Sequence, residues 1–276
     1  MNYKDFFRDK VVLITGASSG IGASLGKSLS ESGSLVGLCA RRIDRLEAVA
    51  KTLRRSDRHL ICRLDVRDPA SIHEAVDSII KKFGRIDGVI VNAGYAVTGK
   101  FEKLTIEDYR HQFETNVFGA ISTISAALPE IKKQRGFIGV IGSVNSYLSF
   151  DGVGAYAMSK FAVRALSESL YHELYPSGVS VTLVCPGFVK SEIRQVDNRG
   201  VFHSDGQDNL PKWIVMPTDQ ASRLILKGIA KKRREILITA HGKFAVFLKN
   251  HMPEFFHWLL RVFNVKAGKH KSVRAQ

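Results

Sequence analysis

The chain has 276 residues, of which 45% are hydrophobic and 24% charged, a composition typical of a folded globular protein and not of a disordered one. No apolar run approaches the roughly 20 residues that span a bilayer, and the first residues lack the apolar stretch of a secretory signal. The formal net charge is +15. A solvated basic surface, an anionic membrane or a phosphorylated ligand each account for this charge. Because no basic patch is interleaved with aromatic residues, we expect no nucleic-acid partner.

Cysteine usage is sparse. Cys39, Cys62 and Cys185 each lie in or beside an apolar run. Their odd number and their spacing fit neither a disulfide framework nor a metal site. We therefore expect three buried thiols, no metal ligand and a cytoplasmic location, with peripheral attachment to a membrane surface as an alternative.

Short apolar runs alternate with segments of helical periodicity along most of the chain. Asp68-Pro69 begins one of the helices, as a capping carboxylate followed by proline at the first helical position. Strands that alternate with helices predict crossover units and a parallel sheet. The predicted strands are residues 10–15, 35–39, 60–64, 89–91, 137–141, 179–184 and 236–238, and predicted helices include 71–83, 106–128 and 157–174.

The expected fold class is a doubly wound α/β domain of the Rossmann type, with a seven-stranded parallel sheet and helices on both faces. We expect this domain to occupy residues 1–240. A polar stretch at 191–210 interrupts the alternation inside it. A C-terminal amphipathic helical extension is expected over residues 241–276.

A glycine-rich turn follows the first predicted strand and begins the next helix. Glycines permit a tight turn and let the backbone approach a pyrophosphate at the helix N-terminus, where free N–H groups favour anions. The spacing, G-x-x-x-G-x-G, differs from the G-x-G-x-x-G of many dinucleotide-binding proteins. Its position directly after the first strand indicates a nucleotide site, formed by Gly16, Ser18, Ser19, Gly20, Ile21 and Gly22.

The end of the second predicted strand selects the cofactor. A carboxylate there would bind the ribose 2′-hydroxyl of NAD, whereas this sequence has Arg41 and Arg42, and its first acid, Asp44, comes later. A guanidinium binds a 2′-phosphate through bidentate charge-assisted hydrogen bonds, whereas a carboxylate repels it. The sequence therefore predicts NADP over NAD, with charges on a helix surface as the alternative reading of the two arginines.

Tyr156 and Lys160 are four residues apart in a predicted helix, so both project from one face. An ammonium beside a phenol favours the phenolate, and lowering a tyrosine pKa from near 10 by about 3 units takes roughly 4 kcal/mol. Ser143, at the end of the fifth predicted strand, either donates to a carbonyl oxygen or caps its own backbone. Because ordinary helices contain the tyrosine–lysine spacing by chance, the pair alone is a weak indication of catalysis.

Taken together and in this order, the motifs resemble the short-chain dehydrogenase/reductase family over about residues 8–240. Two positions depart from the family pattern. Ser191 stands where the family often has threonine, which keeps the hydroxyl, and Gly142 precedes the catalytic serine where another serine is common. The resemblance is carried by Gly16, Gly20, Gly22, Leu64, Asp65, Val66, Asn92, Ala93, Gly94, Asn116, Ser143, Tyr156, Lys160, Pro186 and Gly187.

The resemblance implies a role for each of these positions. Tyr156 would be the general acid/base, and Ser143 would polarise the substrate carbonyl. Lys160 would bind the nicotinamide ribose and lower the tyrosine pKa. Asn116 would hold a water of the proton relay, and because asparagine is a mediocre helix former, its place in the middle of a predicted helix favours a local kink. The implied cofactor contacts are Asp65 and Val66 at the adenine, Asn92, Ala93 and Gly94 beside the adenosine ribose, and Pro186, Gly187, Val189 and Ser191 at the nicotinamide.

The expected function is the NADP(H)-dependent interconversion of a ketone and a secondary alcohol, with a bulky apolar carbonyl such as a steroid or a sphingoid as substrate. A 3-oxoacyl-thioester reductase is one alternative, and a non-catalytic nucleotide-binding protein is another. The intact set of Asn116, Ser143, Tyr156 and Lys160 argues against the second alternative. The resemblance also implies a homodimer or homotetramer formed through the helices at 106–128 and 157–174.

The segment at 253–263 has only three polar residues, which fall on one narrow stripe of a helix. So broad an apolar surface predicts a cover: a lipid surface, a partner subunit, a lid over the substrate, or the domain's own core. Basic residues at 231–234 and at Lys266, Lys269, Lys271 and Arg274 favour an anionic membrane. The face expected to meet lipid consists of Phe255, Phe256, Leu259, Leu260 and Phe263.

Overall fold

The computed structural model describes residues 2–203, 211 and 213–265. All seven predicted strands are present, and each end differs from the prediction by no more than one residue. The strands are β1 (Val11–Thr15), β2 (Leu35–Ala40), β3 (His59–Arg63), β4 (Gly88–Val91), β5 (Phe137–Ile141), β6 (Ser180–Cys185) and β7 (Glu235–Leu237). The described helices are α1 (Tyr3–Phe7), α2 (Gly20–Glu31), α3 (Ile43–Ala50), α4 (Pro69–Phe83), α5 (Ile106–Phe113), α6 (Gly119–Lys133), α7 (Gly154–Glu173), α8 (Thr218–Ala230), α9 (Ala240–His251) and α10 (Pro253–Val262).

The sheet is parallel throughout, with the strand order β3-β2-β1-β4-β5-β6-β7. Val12 of β1 is in register with Val36 of β2 on one side and with Gly88 of β4 on the other. Successive residues of a strand point to opposite faces. Leu13 accordingly joins an apolar cluster with side chains of α4, α6 and α7, and Ile14 joins a second cluster with side chains of α2, α3 and α8. The expected doubly wound fold is confirmed.

The chain crosses from one half of the sheet to the other between β3 and β4, so that β1 lies between β2 and β4. In open parallel sheets, such a switch in strand order creates a crevice at the carboxyl ends of the strands, where ligands bind. The segments that follow β1 to β6 carry every residue predicted for the site except Asn116, Tyr156 and Lys160, which lie on the helical segments around α5, α6 and α7.

Two helix predictions have different outcomes. Asp68 begins α4 as expected, because its side chain accepts the backbone N–H of Ala70 at 3.0 Å. The single helix predicted at 106–128 is instead two helices, α5 and α6, joined by a π-helical turn over Glu114–Phe118. A π turn inserts one extra residue into the helical repeat and displaces the following side chains. The expected distortion around Asn116 is thus present.

α9 and α10 form the C-terminal part of the described chain. Phe256 of α10 is buried in the cluster that includes Leu13, and Leu259 and Leu260 pack against the same cluster. The expectation that these three side chains face outward is therefore wrong, because the core of the domain buries Phe256 and partly covers Leu259 and Leu260. Phe255 and Phe263 are exposed.

Three further expectations concern termini, spans and thiols. Lys266, Lys269, Lys271 and Arg274 lie outside the described residues, as do residues 204–210 of the polar stretch. Across the described parts of the chain, no helix combines the length and the apolar character needed to cross a bilayer. The three cysteines are buried and free, as predicted.

Candidate active site

The glycine-rich turn leads from β1 into the N-terminus of α2. Gly16 and Gly20 have φ angles of +66° and +53°, a left-handed conformation that favours glycine. A Cβ atom on Gly22 would lie 2.2 Å from the carbonyl oxygen of Gly16, so only glycine allows α2 to approach the turn this closely. Ser19 precedes α2 without forming a side-chain cap. The first backbone N–H groups of α2 are therefore suited to a pyrophosphate.

Asn92 joins the end of β4 to this turn. Its Nδ2 atom donates to the carbonyl oxygens of Thr15 and Gly16, at 3.0 and 3.2 Å. The Thr15 hydroxyl oxygen accepts the backbone N–H groups of Asn92 and Ala93, at 3.0 and 3.1 Å. These bonds fix the ends of β1 and β4 beside each other, where the adenosine ribose contact was expected.

The two arginines after β2 lie at different depths. The Nη2 atom of Arg42 donates to the hydroxyl oxygens of Ser19 and Ser18, at 3.2 and 3.4 Å. Arg41 is exposed, and its Nη2 atom donates to the carbonyl oxygen of Gly200 at 3.2 Å. Of the two guanidinium groups predicted to bind a 2′-phosphate, Arg42 is thus the one that contacts the glycine-rich turn.

Asp65 and Val66 follow β3 at the outer part of the crevice. Arg67 donates to the Asp65 carboxylate through Nε at 3.1 Å and Nη2 at 2.7 Å, and these bonds hold the pKa of Asp65 below its ordinary value. Val66 is buried against the start of α6, where a Cβ atom on Gly119 would lie 2.7 Å from its Cγ2. Both residues therefore line the end of β3, as the implied adenine contacts require.

Tyr156 lies in the first turn of α7 and faces the loop after β5. The Ser143 side chain lies beside this phenol and lowers its pKa. Ser143 Oγ also accepts the backbone N–H of Asn145 at 3.1 Å, so this serine caps its own loop as well. Burial raises the pKa of Tyr156 above 10.0, and this effect outweighs the opposite influence of Ser143. Tyr156 therefore keeps its proton at neutral pH.

Lys160 lies one turn further along α7 and is 6% exposed. Its Nζ atom donates to the carbonyl oxygen of Ile141 at 2.8 Å and lies 5.8 Å from the centre of the Tyr156 ring. Burial lowers the pKa of Lys160 from 10.5 to about 8. The sequence predicted that this ammonium lowers the pKa of Tyr156, but the net pKa is raised. Burial of the phenol outweighs the attraction of an ammonium 5.8 Å from the ring centre.

Asn116 is buried in the π turn and braces the loop after β4. Its Nδ2 atom donates to the Tyr95 carbonyl oxygen and to Ser159 Oγ, both at 3.1 Å. Its Oδ1 atom accepts the backbone N–H of Tyr95 at 3.2 Å. A Cβ atom on Gly94 would lie 3.0 Å from Oδ1, so glycine permits this approach. The side chain is therefore occupied in positioning the backbone next to the catalytic helix.

The turn after β6, expected at the nicotinamide, is held from two sides. The backbone N–H of Phe188 donates to His241 Nε2 at 3.0 Å, and its carbonyl oxygen accepts the backbone N–H of Met216 at 2.9 Å. Val189 is buried and forms an isolated parallel bridge with Met216. A Cβ atom on Gly187 would lie 2.4 Å from His241 Nε2. Glycine is therefore needed for the histidine to reach the turn.

The same turn connects the two ends of the site. The Pro186 carbonyl oxygen accepts the backbone N–H of Val144 at 2.8 Å, next to Ser143. At its other end, Ser191 lies beside the glycine-rich turn, because a Cβ atom on Gly20 would be 3.3 Å from Ser191 Cβ. The turn thus extends from Ser143 to the N-terminus of α2.

Three residues of the site were not predicted from the sequence. Glu192 accepts hydrogen bonds from Arg42 Nη2 at 3.0 Å and from Arg45 Nη1, and His241 anchors the turn after β6. Each lies outside the recognisable motifs. A glutamate directly after Ser191 and an arginine in the first turn of α3 are ordinary residues until the fold brings them together.

Comparison with known proteins agrees with this arrangement. The family model described as short chain dehydrogenase matches residues 10–201. The protein named 11-beta-hydroxysteroid dehydrogenase-like 2 from Arabidopsis thaliana is 31% identical over 255 residues, which cover 91% of this chain and 80% of that protein. The matched residues contain every position predicted for the catalytic set.

Two solved structures share the fold. A short chain dehydrogenase/reductase from Burkholderia phymatum in complex with NAD has a TM-score of 0.80 and 26% identity, covering 90% of this chain and 95% of the other. An alcohol dehydrogenase from the archaeon Thermococcus sibiricus complexed with 5-hydroxy-NADP has a TM-score of 0.71 and 27% identity, covering 84% and 97%. One ligand carries the 2′-phosphate and the other does not. The chain belongs to the short-chain dehydrogenase family, whose members are NAD(P)-binding oxidoreductases that act on small molecules.

Proposed function

We propose that this protein is an NADP(H)-dependent oxidoreductase that interconverts a ketone and a secondary alcohol. The observation that carries the cofactor choice is the contact of the Arg42 guanidinium with Ser18 and Ser19 in the phosphate-binding turn. β2 also ends without the carboxylate that binds the ribose 2′-hydroxyl of NAD. A guanidinium in this position favours a 2′-phosphate, because its N–H groups match phosphate oxygens in pairs.

Four side chains support the reaction at the other end of the crevice. Bound NADPH supplies the hydride. Tyr156 donates its proton to the carbonyl oxygen, while Ser143 donates a hydrogen bond that stabilises the developing charge. The raised pKa of Tyr156 keeps that proton in place until it is transferred. Lys160 stabilises the phenolate that remains, and Asn116 braces the loop after β4 next to α7.

The proposed substrate is a bulky apolar carbonyl compound, such as a steroid, a sphingoid or another lipid-like ketone. Phe150, on the loop after Ser143, and Leu260 of α10 line a surface cavity. An apolar surface beside a few polar groups is typical of sites for small apolar ligands. The name of the Arabidopsis relative, a hydroxysteroid dehydrogenase-like protein, supports the same substrate class.

A 3-oxoacyl-thioester reductase is the second candidate. The net charge of +15 favours it, because a basic surface attracts an acidic carrier protein or a phosphorylated coenzyme. A non-catalytic nucleotide-binding protein is disfavoured, since such a protein has no need for Ser143 beside the Tyr156 phenol or for a buried Lys160.

An NADPH-consumption screen tests the proposal. Steroids, sphingoid ketones, acyl thioesters and small aldehydes are offered to the wild type and to Tyr156→Phe, in parallel with NADH. Turnover of apolar ketones that is lost in the variant supports the proposed function. Turnover of thioesters alone selects the second candidate, and NADPH binding without turnover selects the non-catalytic one. NADPH should bind at least about tenfold tighter than NADH, and Arg42→Asp should erase this difference.

We also propose a homodimer or homotetramer. Four large apolar side chains on the segment from the π turn to α7 are exposed, with Phe118 and Met158 about half exposed. Exposed apolar patches of this kind on neighbouring helices mark protein–protein contacts. Sedimentation of the wild type against a variant with Phe118→Ser and Met158→Ser measures the change. The four side chains are Phe118, Ile121, Met158 and Phe161.

We also propose that the protein is cytoplasmic and that its C-terminal helices make peripheral contact with an anionic membrane. Phe255, Trp258, Val262 and Phe263 are exposed on and just after α10, and Arg261 lies exposed among them. An apolar face with basic neighbours is suited to a lipid surface of negative charge. We call the exposed side chains of Phe255, Trp258, Val262 and Phe263 the α10 outer face.

A further inference from the structure

Glu192 and two arginines form an ion cluster across the crevice. Glu192 Oε2 accepts from Arg42 Nη2 at 3.0 Å, and Oε1 accepts from Arg45 Nη1. Burial alone would raise the pKa of Glu192, and the hydrogen bonds from the two guanidinium groups outweigh that effect and lower it. Glu192 is therefore ionised at neutral pH, with both carboxylate oxygens engaged.

The segment after the nicotinamide turn closes over this cluster. The ring centre of Phe202 lies 4.4 Å from Arg45 Cζ and 5.3 Å from Arg42 Cζ. Phe202 also forms an isolated antiparallel bridge with Val196. Stacking of guanidinium groups on an aromatic face is favourable and holds their orientation. Residues 192–202 thus fold back onto the end of β2 that is expected to bind the adenosine half of the cofactor.

One of the two guanidinium groups that bind Glu192, that of Arg42, is also the group that the proposed function assigns to the cofactor. Arg42 Nη2 contacts both Ser19 of the phosphate-binding turn, at 3.2 Å, and Glu192. A 2′-phosphate held there would bring a second anionic group next to the carboxylate. Two anionic groups bound to the same guanidinium repel each other strongly, and the repulsion is stronger where burial limits screening by solvent. The phosphate and Glu192 therefore exclude each other.

We propose that Glu192 is an internal competitor of the cofactor's 2′-phosphate and that Arg45 is a second ligand of this phosphate. The inference rests on the proposed preference for NADP(H). Glu192 neutralises the two guanidinium groups in the free enzyme, and the phosphate replaces it when NADP(H) binds. NADH carries no 2′-phosphate and leaves the pairing of Glu192 with Arg42 and Arg45 intact.

Fluorescence titration with NADPH and NADH tests both parts. Glu192→Gln keeps the shape of the side chain but removes its charge, and should tighten NADPH binding about tenfold without changing NADH binding. Arg45→Gln should weaken NADPH binding about tenfold and leave NADH binding unchanged. The matched control is Glu107→Gln, which removes an exposed ion pair with Arg110 on α5 and should alter neither affinity.

The outcomes separate this inference from the proposed function. Unchanged or weaker NADPH binding by Glu192→Gln, or an equal change for both cofactors, overturns the role of Glu192. Unchanged NADPH binding by Arg45→Gln overturns the second ligand. A wild type that binds both cofactors equally well contradicts the proposed cofactor preference, whatever the variants do. Selective loss of NADH binding in Glu192→Gln would mean that the carboxylate serves the ribose hydroxyls, and would overturn both.

Discussion

His241 Nε2 accepts the backbone N–H of Phe188 at 3.0 Å, and the imidazole stacks on the Phe188 ring with the ring centres 5.3 Å apart. A histidine nitrogen accepts a hydrogen bond only when that nitrogen is unprotonated. Burial lowers the pKa of His241 below 6.5, which favours the neutral form. The first residues of α9 thus hold the turn that is expected to contact the nicotinamide.

We predict that acid weakens this contact. Because the His241 pKa is lower in the folded than in the unfolded protein, its contribution to the free energy of unfolding is present above pH 6.5 and is lost as the pH falls through the folded pKa. His241→Gln provides an acceptor that does not titrate. Below pH 6.5, the free energy of unfolding of the wild type should therefore fall relative to that of the variant. Urea unfolding at pH 5 and pH 8 measures it. A difference that is independent of pH contradicts the prediction.

The catalytic phenol gives a second prediction. Tyr156→Phe should lower kcat by a factor of about 10² or more and leave NADPH affinity nearly unchanged, because general acid catalysis is lost while the ring remains. Tyr175→Phe is the matched control, since Tyr175 is 77% exposed. Turnover of any accepted substrate at a rate near that of the wild type would exclude Tyr156 as the proton donor.

Burial of Lys160 predicts a measurable effect of pH on stability. The unfolded chain binds more protons than the folded one between the folded pKa of about 8 and the unfolded value of 10.5, so the free energy of unfolding rises with pH in this window. Lys160→Met removes this rise. Denaturant unfolding should therefore show that, between pH 7.5 and pH 10, the free energy of unfolding of the wild type rises relative to that of Lys160→Met. The same variant should lose turnover and NADPH affinity together, and a variant that retains both would remove Lys160 from the site.

The packing around Gly22 leaves no space for a side chain, which gives a prediction for protein stability. The Cβ atom of Gly22→Ala would lie 2.2 Å from a backbone carbonyl oxygen, so the turn or α2 must shift. Overpacking of this kind typically costs about 1–3 kcal/mol. Gly154→Ala is the control, because nothing lies within 4 Å of a Cβ atom there. Thermal unfolding should show a lower Tm for Gly22→Ala alone, and equal Tm values would contradict the observed packing.

The α10 outer face makes the membrane proposal testable without truncation, which would also remove the buried Phe256. Trp258→Ser with Phe263→Ser should reduce co-sedimentation with anionic vesicles, and raised salt should reduce it in the wild type. Phe101→Ser is the control, since Phe101 is 86% exposed and lies outside the C-terminal helices. Equal sedimentation of all three proteins, or none, would exclude the membrane contact. Loss of an oligomer in the double variant would instead identify a subunit interface.

The local sequence was sufficient to predict the sheet, but it was insufficient to predict several contacts of the site. Strands such as Phe137–Ile141 are buried throughout, so an apolar run marks their ends within one residue. The pair of Tyr156 and Lys160 lies on a single helix and follows from spacing. The hydrogen bond between Arg42 and Glu192, by contrast, joins residues 150 positions apart and depends on how two loops pack.

The position of β1 between β2 and β4 also sets the order in which the two halves of the sheet can form during translation. β2 is synthesised soon after β1, but the other edge of β1 has no partner until β4 follows, because Val12 pairs with Gly88. Domains generally form from the N-terminus during translation. The adenosine half is thus built first, with an unpaired strand edge that can associate with other chains. The turn after β6, which is expected to contact the nicotinamide, is held in place only when His241 reaches Phe188, so this part of the expected site forms last in a nascent chain.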